Sequence, residues 1–229
     1  MRTRAIAIFM LFAGGAAAQI GVPRVGCLID GSQRLRPVLG IAGNFLIGEA
    51  VAEGVVAAAC SDALTIIKRE ESLVIRTGEV AGEHPAPAGT ALFGWSPDGS
   101  QALVFFPASG EWVKVSARGV QPLEAPFLPE GEVIAIGGPG RPDALVRKDG
   151  EAATPALLLP DGKRLTARSA ELILTSNGNE DRTIALPGPV ERLEWLGPGW
   201  VHIRLAEGGG RLALSLEREQ LYRLPEAGE

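Results

Sequence analysis

The sequence has little of the chemistry that most metal and nucleophilic sites require. Its 229 residues include only two histidines and two cysteines. Neither His84 nor His202 lies near a second histidine or a cysteine in the sequence, so a zinc site has no ligand cluster to draw on. We therefore interpret both as isolated surface imidazoles, and we predict no metal and no cofactor.

Motifs for covalent catalysis and phosphate binding are also missing. No Gly-x-Ser-x-Gly segment occurs, and two histidines offer little choice of a general base. The glycine-rich segments 137–140 and 208–210 have neither the dinucleotide spacing nor a following Lys-Ser or Lys-Thr pair. We interpret both segments as loops and predict no catalytic residue.

Positive charge is scarce as well. The chain has 22 basic and 27 acidic residues, a net charge of −5, and no basic stretch alternates with aromatic residues. An acidic surface repels phosphate backbones and anionic lipids. Nucleic acid is therefore not an expected partner.

The sequence has few long stretches without glycine or proline in which a helix could form. Its apolar residues, 46% of the total, are enough to form a core. The 30 glycines and 17 prolines are spread along the chain, where they interrupt helices. The composition therefore favours short strands joined by turns.

The N-terminus has the order of a secretory signal peptide. Arg2 and Arg4 precede the apolar run Ala5 to Ala18, which closes on three alanines. The run is shorter than the roughly 18 to 20 residues that span a bilayer, and no second candidate span follows it. We predict a signal peptide over 1–18, a single domain over 19–229 with a net charge of −7, and a periplasmic or secreted location.

Cys27 and Cys60 are candidates for one disulfide, because an oxidising compartment preserves such bonds. The alternative is a pair of buried free thiols. A single pair in a chain with a sizeable core does not decide between the two.

Short apolar runs with a period of two indicate an all-β protein. The clearest is Val201, Ile203 and Leu205, which alternate with His202 and Arg204. Leu212, Leu214 and Leu216 alternate with Ala213 and Ser215 and predict a further strand; a helix from Leu212 to Leu224 is the second choice there. The other predicted strands are Val55–Cys60, Leu64–Lys68, Leu73–Thr77, Ala102–Phe106, Trp112–Ser116, Val133–Ile136, Ala144–Arg147, Leu172–Thr175 and Thr183–Leu186.

The strands recur at a spacing typical of propeller blades. Candidate first strands begin near Leu46, Leu92, Val133 and Leu193, at intervals of 46, 41 and 60 residues. Four-stranded blades take roughly 40 to 50 residues, and the third interval is long enough to contain an additional blade. We predict a β-propeller of about five blades, with a β-meander or sandwich as the alternative. Segment 25–40 is expected to pair with the terminal blades and close the ring.

One turn carries a family resemblance. Trp95-Ser96-Pro97-Asp98-Gly99-Ser100, followed by an apolar strand, resembles the aromatic-Ser-Pro-Asp-Gly segment of TolB-type, WD-like β-propeller repeats. Residues 160–163 and 29–32 are partial copies. The resemblance implies a hairpin between the first two strands of a blade, and binding of a protein or other ligand across the face or channel of the ring. It carries over no catalytic residue.

Three further sets of residues are possible sites. Segment 177–181 has oxygen ligands at alternating positions but lacks the glycine and terminal glutamate of a calcium loop, so we interpret it as a turn. The four tryptophans are either packing residues or a ligand platform, and Trp200 is the one predicted to be exposed. We predict an exported, non-enzymatic module that binds a protein or other ligand. The alternative function is a hydrolase or lyase that acts on a polymer through paired carboxylates, with Glu49, Glu53, Asp62, Asp98 and Asp143 as the candidates.

Overall fold

The computed structural model describes residues 22–96, 98–124, 132–134, 145–147, 156–159, 163–176, 179–206 and 208–225. Every regular element in these ranges is a β-strand, and each pairs with its neighbour in antiparallel fashion. The alternative helix from Leu212 to Leu224 is therefore wrong. That segment forms two strands, because residues 216–219 between them form a turn.

Five of the sheets form the blades of a β-propeller. Blade 1 consists of β4 Ala57–Cys60, β5 Thr65–Lys68, β6 Ser72–Thr77 and β7 Val80–Pro85. Blade 2 consists of β8 Leu92–Trp95, β9 Gln101–Phe106, β10 Glu111–Ser116 and β11 Gly119–Leu123. Blade 3 is described by β12 Glu132–Ile134 and β13 Leu145–Arg147. Blade 4 consists of β14 Ala156–Leu158, β15 Arg164–Arg168, β16 Glu171–Ser176 and β17 Asn179–Ala185. Blade 5 consists of β18 Val190–Gly197, β19 Trp200–Leu205, β20 Arg211–Ser215 and β21 Gln220–Arg223.

A sixth sheet precedes the ring and has three strands: β1 Arg24–Ile29, β2 Leu35–Ile41 and β3 Asn44–Ile47. Its first strand contacts β4 of blade 1 and β18 of blade 5, while β4 and β18 also contact each other. We call it the wedge sheet, because it packs between the first and last blades.

The predicted closure is wrong in its detail. Segment 25–40 was expected to pair with the strands of the terminal blades, but it pairs within its own sheet. It packs against both blades, and its backbone closely approaches the backbone of blade 5 at Gly26. The predicted first strand near Leu46 belongs to β3 for the same reason, and blade 1 begins at Ala57. Three other starts are confirmed, and blade 4 lies within the long third interval.

One continuous core runs through the blades. Trp95, Phe106, Leu165 and Leu172 are at most 2% exposed within it, so the apolar alternation seen in the sequence does face neighbouring blades. The wedge sheet contributes to two smaller clusters, one shared with each terminal blade.

The Ser-Pro-Asp-Gly turn lies where the resemblance places it, between the first two strands of blade 2. Asp98 Oδ1 accepts hydrogen bonds from Ser96 Oγ (2.6 Å) and from the Ser100 backbone nitrogen (3.1 Å). These bonds lower the pKa of Asp98 to about 2. Gly99 adopts a φ of 66°, which favours glycine. The motif is therefore a structural turn, and it contacts blade 1 through the Gly99 carbonyl, which accepts from Ser61 Oγ at 2.7 Å.

Candidate functional site

Cys27 of β1 and Cys60 of β4 form a disulfide, with their Cα atoms 5.8 Å apart. Both are buried, and the described residues include no free cysteine. The bond joins the wedge sheet covalently to the innermost strand of blade 1. Of the two possibilities left open by the sequence, the structure has the paired one.

A buried charge network fixes the turn between β1 and β2. Asp30 is 7% exposed, and its Oδ2 accepts from Arg36 Nε at 2.7 Å and from Arg34 Nε at 3.0 Å. Its Oδ1 accepts from the backbone nitrogens of Ser32 and Arg34. Burial by itself raises the pKa of Asp30, but these donors outweigh it and hold the pKa well below its usual range.

Trp200 is half-buried, not fully exposed, and lies in an aromatic trio. Its ring centroid is 5.6 Å from that of Phe45 in the wedge sheet and 5.8 Å from that of Tyr222 in blade 5. The trio fastens the wedge sheet to blade 5. Trp95, Trp112 and Trp195 are buried, so they pack in the interior and do not form a platform.

A pocket of about 390 Å³ opens at the seam between the wedge sheet and the tips of blades 1 and 5. We call it the seam pocket. Its apolar part includes Trp200 and Ile41, so a half-buried ring and an exposed aliphatic side chain lie in one depression. The charged residues that line it are Arg24, Asp62, Glu217 and Arg218.

The two sides of the wedge sheet meet different neighbours. Val38 and Phe45 pack against Leu196 of blade 5, whereas Cys27 and Leu35 pack against Val55 on the blade 1 side. The pairing explains this division, because successive side chains along a strand point to opposite sides of a sheet.

The side toward blade 1 is covered only in part. Arg24 pairs with Leu39, and Leu39 pairs with Leu46, so all three side chains share this side. Ile41 follows Leu39 by two positions and shares it too. Leu39 is half-buried, but Ile41 is 64% exposed and Leu46 is 57% exposed. We call Leu39, Ile41 and Leu46 the apolar row.

The prediction that His202 is a surface imidazole is wrong, because the residue is only 3% exposed. His84 is half-buried. His202 pairs across the hairpin with Glu194, and its Nδ1 lies 3.4 Å from Glu194 Oε2. Burial raises the pKa of Glu194, but the hydrogen bond and charge of His202 and the charges of Arg192 and Arg204 outweigh burial. The pKa of Glu194 therefore lies below its usual range. Glu194 is therefore held as a carboxylate.

Glu194 also lines a cavity of about 160 Å³ near the centre of the ring. Residues from β4, β8, β14 and β18, the first strands of four blades, form its wall, and Arg192 and Thr90 add polar groups. The sequence did not reveal the Glu194–His202 pair. Only the register of the β18–β19 hairpin brings the two residues together, and the alternation of residues 201–205 was the available signal.

The described candidate carboxylates lie on three loops, two of which meet where Ser61 Oγ donates to the Gly99 carbonyl. Glu49 and Glu53 are exposed on the segment after β3, Asp62 is exposed at a hairpin tip, and Asp98 caps its own turn. Asp143, the signal peptide and positions 177–178 of segment 177–181 lie outside the described residues, and positions 179–181 begin β17. The hydrolase or lyase alternative therefore remains a prediction from the sequence. In the part of the chain that the structure describes, no group of three or more His, Cys, Asp or Glu side chains is placed to hold a metal ion.

Comparison with known proteins assigns the chain to no family. No protein-family model matches the sequence, and no curated protein matches it either. The resemblance to TolB-type repeats therefore remains a prediction from the motif.

Solved structures give likenesses of low sequence identity. The chain is similar to a functionally unknown protein from Desulfotomaculum acetoxidans, with a TM-score of 0.49 and 11% identity over 87% of this chain and 78% of that one. It is similar to AztD from Citrobacter koseri, with a TM-score of 0.40 and 9% identity over 89% and 73%. A third likeness is to PorZ, a surface component of the type-IX secretion system of Porphyromonas gingivalis, with a TM-score of 0.42 and 14% identity over 76% and 28%. At these values we take no function from the three proteins.

Proposed function

We propose that the chain is an exported β-propeller that acts as an interaction module and binds its partner on the wedge sheet side of the ring. The observation that carries this proposal is the distribution of exposed apolar side chains. Five large ones are exposed among the described residues, and Val22, Ile41, Leu46 and Val51 all lie between positions 22 and 51. The fifth is Val80 in blade 1.

The grouping of exposed apolar side chains in one region is more informative than the exposure of any single one. Single exposed apolar residues are ordinary on protein surfaces, but contiguous ones mark sites that another molecule covers. The apolar row stands beside the seam pocket, and Ile41 belongs to both. A partner that covers this region would remove apolar area from water at roughly 25 cal/mol per Å².

Export is supported by the N-terminal pattern and by the disulfide. The pattern of residues 1–18 is typical of a signal peptide, and an oxidising compartment would preserve the bond between Cys27 and Cys60. No helix among the described residues is long and apolar enough to cross a membrane. We expect the N-terminus of protein isolated from the envelope fraction to be Gln19; retention of Met1 would contradict export by this route.

Site-specific photo-crosslinking tests the interaction surface. A photoreactive phenylalanine analogue is placed at position 46 and, as a matched control, at Val80, which is 74% exposed on the outer strand of blade 1. In an envelope extract of the source organism, we expect an adduct of defined mass from position 46 that excess unmodified protein abolishes. Equal adducts from both positions, or none from position 46, would contradict the proposal.

A further inference from the structure

Arg24 lies beside the apolar row, and Arg76 of blade 1 is close enough for its charge to act on Arg24. Arg24 Nη2 donates to Thr65 Oγ1 at 3.2 Å, and Arg76 is the cross-strand partner of Thr65 in blade 1. Arg76 Nη1 donates to the Val51 carbonyl at 3.3 Å. Neither guanidinium forms a salt bridge with a carboxylate of the described residues, although the charge of Asp62 acts on Arg24.

The electrostatic balance at this place favours an added negative charge. Burial lowers the pKa of Arg24; the charge of Asp62 raises it, and the like charge of Arg76 lowers it again. With Arg76, the charged residues that line the seam pocket amount to three cations (Arg24, Arg76 and Arg218) and two carboxylates (Asp62 and Glu217), an excess of one positive charge on a protein whose net charge is −5. A carboxylate supplied from outside would balance that excess.

Arg24, Leu39 and Leu46 lie in one line across the three strands of the wedge sheet. Register places Arg24 beside Leu39 and Leu39 beside Leu46, and neighbouring strands are about 4.8 Å apart. A ligand that reaches from Leu46 to Arg24 therefore spans about 10 Å, roughly three residues of an extended chain. Its apolar part would rest on the apolar row and its charged end would reach Arg24 and Arg76.

We propose that this surface binds an extended peptide segment of a partner protein, with apolar side chains on Leu39, Ile41 and Leu46 and a carboxylate at Arg24 and Arg76. This inference rests on the proposed interaction function and specifies the chemistry of the partner. A polyanion such as nucleic acid does not fit, because the protein's net charge of −5 repels it. A single carboxylate on an apolar segment gains the local attraction without that cost.

Fluorescence anisotropy with defined hexapeptides tests the proposal. The probe is fluorescein-labelled Val-Thr-Val-Thr-Val-Asp with an amidated C-terminus, and the comparison peptides end in Asn or Lys. A charge-assisted hydrogen bond contributes about 1.5 kcal/mol or more, so we expect the Asp peptide to bind the full mature chain about tenfold more tightly than the Asn peptide. The Lys peptide should bind more weakly still, and added salt should narrow the difference.

Substitutions identify the residues that cause the preference for the Asp peptide. Arg24→Gln and Arg76→Gln should each reduce the preference for Asp over Asn, and Leu46→Ser should weaken both peptides alike. Arg204→Gln is the matched control, since Arg204 is an exposed arginine on blade 5 that pairs with Glu191 at 3.0 Å. It should change nothing. Thermal unfolding of each variant identifies any that do not fold, and the salt dependence of the unmodified chain tests the charge term without a substitution.

Three outcomes would overturn the inference. The first is that the Asp and Asn peptides bind equally well, or that neither binds, while position 46 still forms its specific adduct. This result would contradict the peptide chemistry and leave the interaction function standing. The second is an Asp preference that persists in both arginine variants. The third is a concentration-dependent dimer in light scattering that Leu46→Ser abolishes, which would make a second copy of the chain the occupant.

Discussion

The wedge sheet and the blades are held in place in different ways. The blades share one continuous core, in which side chains such as Trp95 and Phe106 are almost fully buried. The wedge sheet divides its contacts between two small clusters and adds a disulfide, an aromatic trio and a buried charge network. A few specific links thus hold the wedge sheet in place of extensive burial. They leave its side toward blade 1 exposed at the apolar row.

This difference explains how exposed apolar residues can persist on the wedge sheet. In a blade, both sides of each sheet face a neighbour, so an apolar side chain on the inner strands is covered. In the wedge sheet, the side toward blade 1 is covered at Cys27 and Leu35 but open at Ile41 and Leu46. Stability and binding can therefore be separated by substitution.

The largest effect is expected from Gly26→Ala. A Cβ at position 26 would lie 1.7 Å from the Leu196 carbonyl oxygen of blade 5, so β1 could not keep its place against β18. We expect the free energy of unfolding to fall by about 3 kcal/mol or more in urea denaturation. Gly31→Ala is the control, since a Cβ there meets no atom within 4 Å. Equal effects of the two substitutions would show that β1 does not approach blade 5 closely.

Loss of the disulfide should have the next largest effect. The double variant Cys27→Ser, Cys60→Ser removes the covalent link between the wedge sheet and blade 1. Bonds that close loops of this kind contribute about 2 to 4 kcal/mol, so urea unfolding should show a decrease of that size. Reduction of the unmodified chain should give the same shift, and an unchanged midpoint in both experiments would contradict the prediction.

Asp30→Asn should show a smaller and pH-dependent effect. The pKa of Asp30 is lowered on folding from the reference value of 3.8, so its carboxylate stabilises the native state fully above about pH 4 and progressively less as the pH falls. We expect the variant to be less stable by about 2 kcal/mol at neutral pH, with the difference narrowing below pH 4. Glu53→Gln, at an exposed acid, is the control. A difference that stays constant down to pH 2 would refute this role of Asp30.

The smallest effect on stability is expected from Leu46→Ser. Because Leu46 is 57% exposed, the free energy of unfolding should change by no more than about 0.5 kcal/mol. The same substitution should weaken peptide binding, which separates this residue from the structural links of the wedge sheet. A large loss of stability would show that Leu46 is buried in solution.

The sequence predicted the local structure well because local signals specify it. Period-two alternation identified β9, β10, β19 and β20, and the Ser-Pro-Asp-Gly turn was placed in the correct hairpin of blade 2. The same signals do not say which sheet a strand joins. Leu46 was therefore assigned to a first blade, although its strand is the third of the wedge sheet.

The candidate site could not be predicted from such local signals. Arg24, Leu39 and Leu46 become neighbours only through the register of three strands, and a bulge between Arg24 and Gly26 sets which side Arg24 faces. Arg76 comes from another sheet altogether. The burial of His202 has a similar origin, because its neighbour Glu194 is supplied by the adjacent strand. Such contacts depend on tertiary packing, which a single sequence does not encode in any local pattern.

Amide hydrogen exchange with and without the Asp-ended hexapeptide is the most direct test of the wedge sheet as the binding surface. Added peptide should slow exchange in β2 and β3, from Leu35 to Ile47, and leave β7 of blade 1 unchanged. Protection confined to the cavity around Glu194, or no protection in the wedge sheet at saturating peptide, would contradict it.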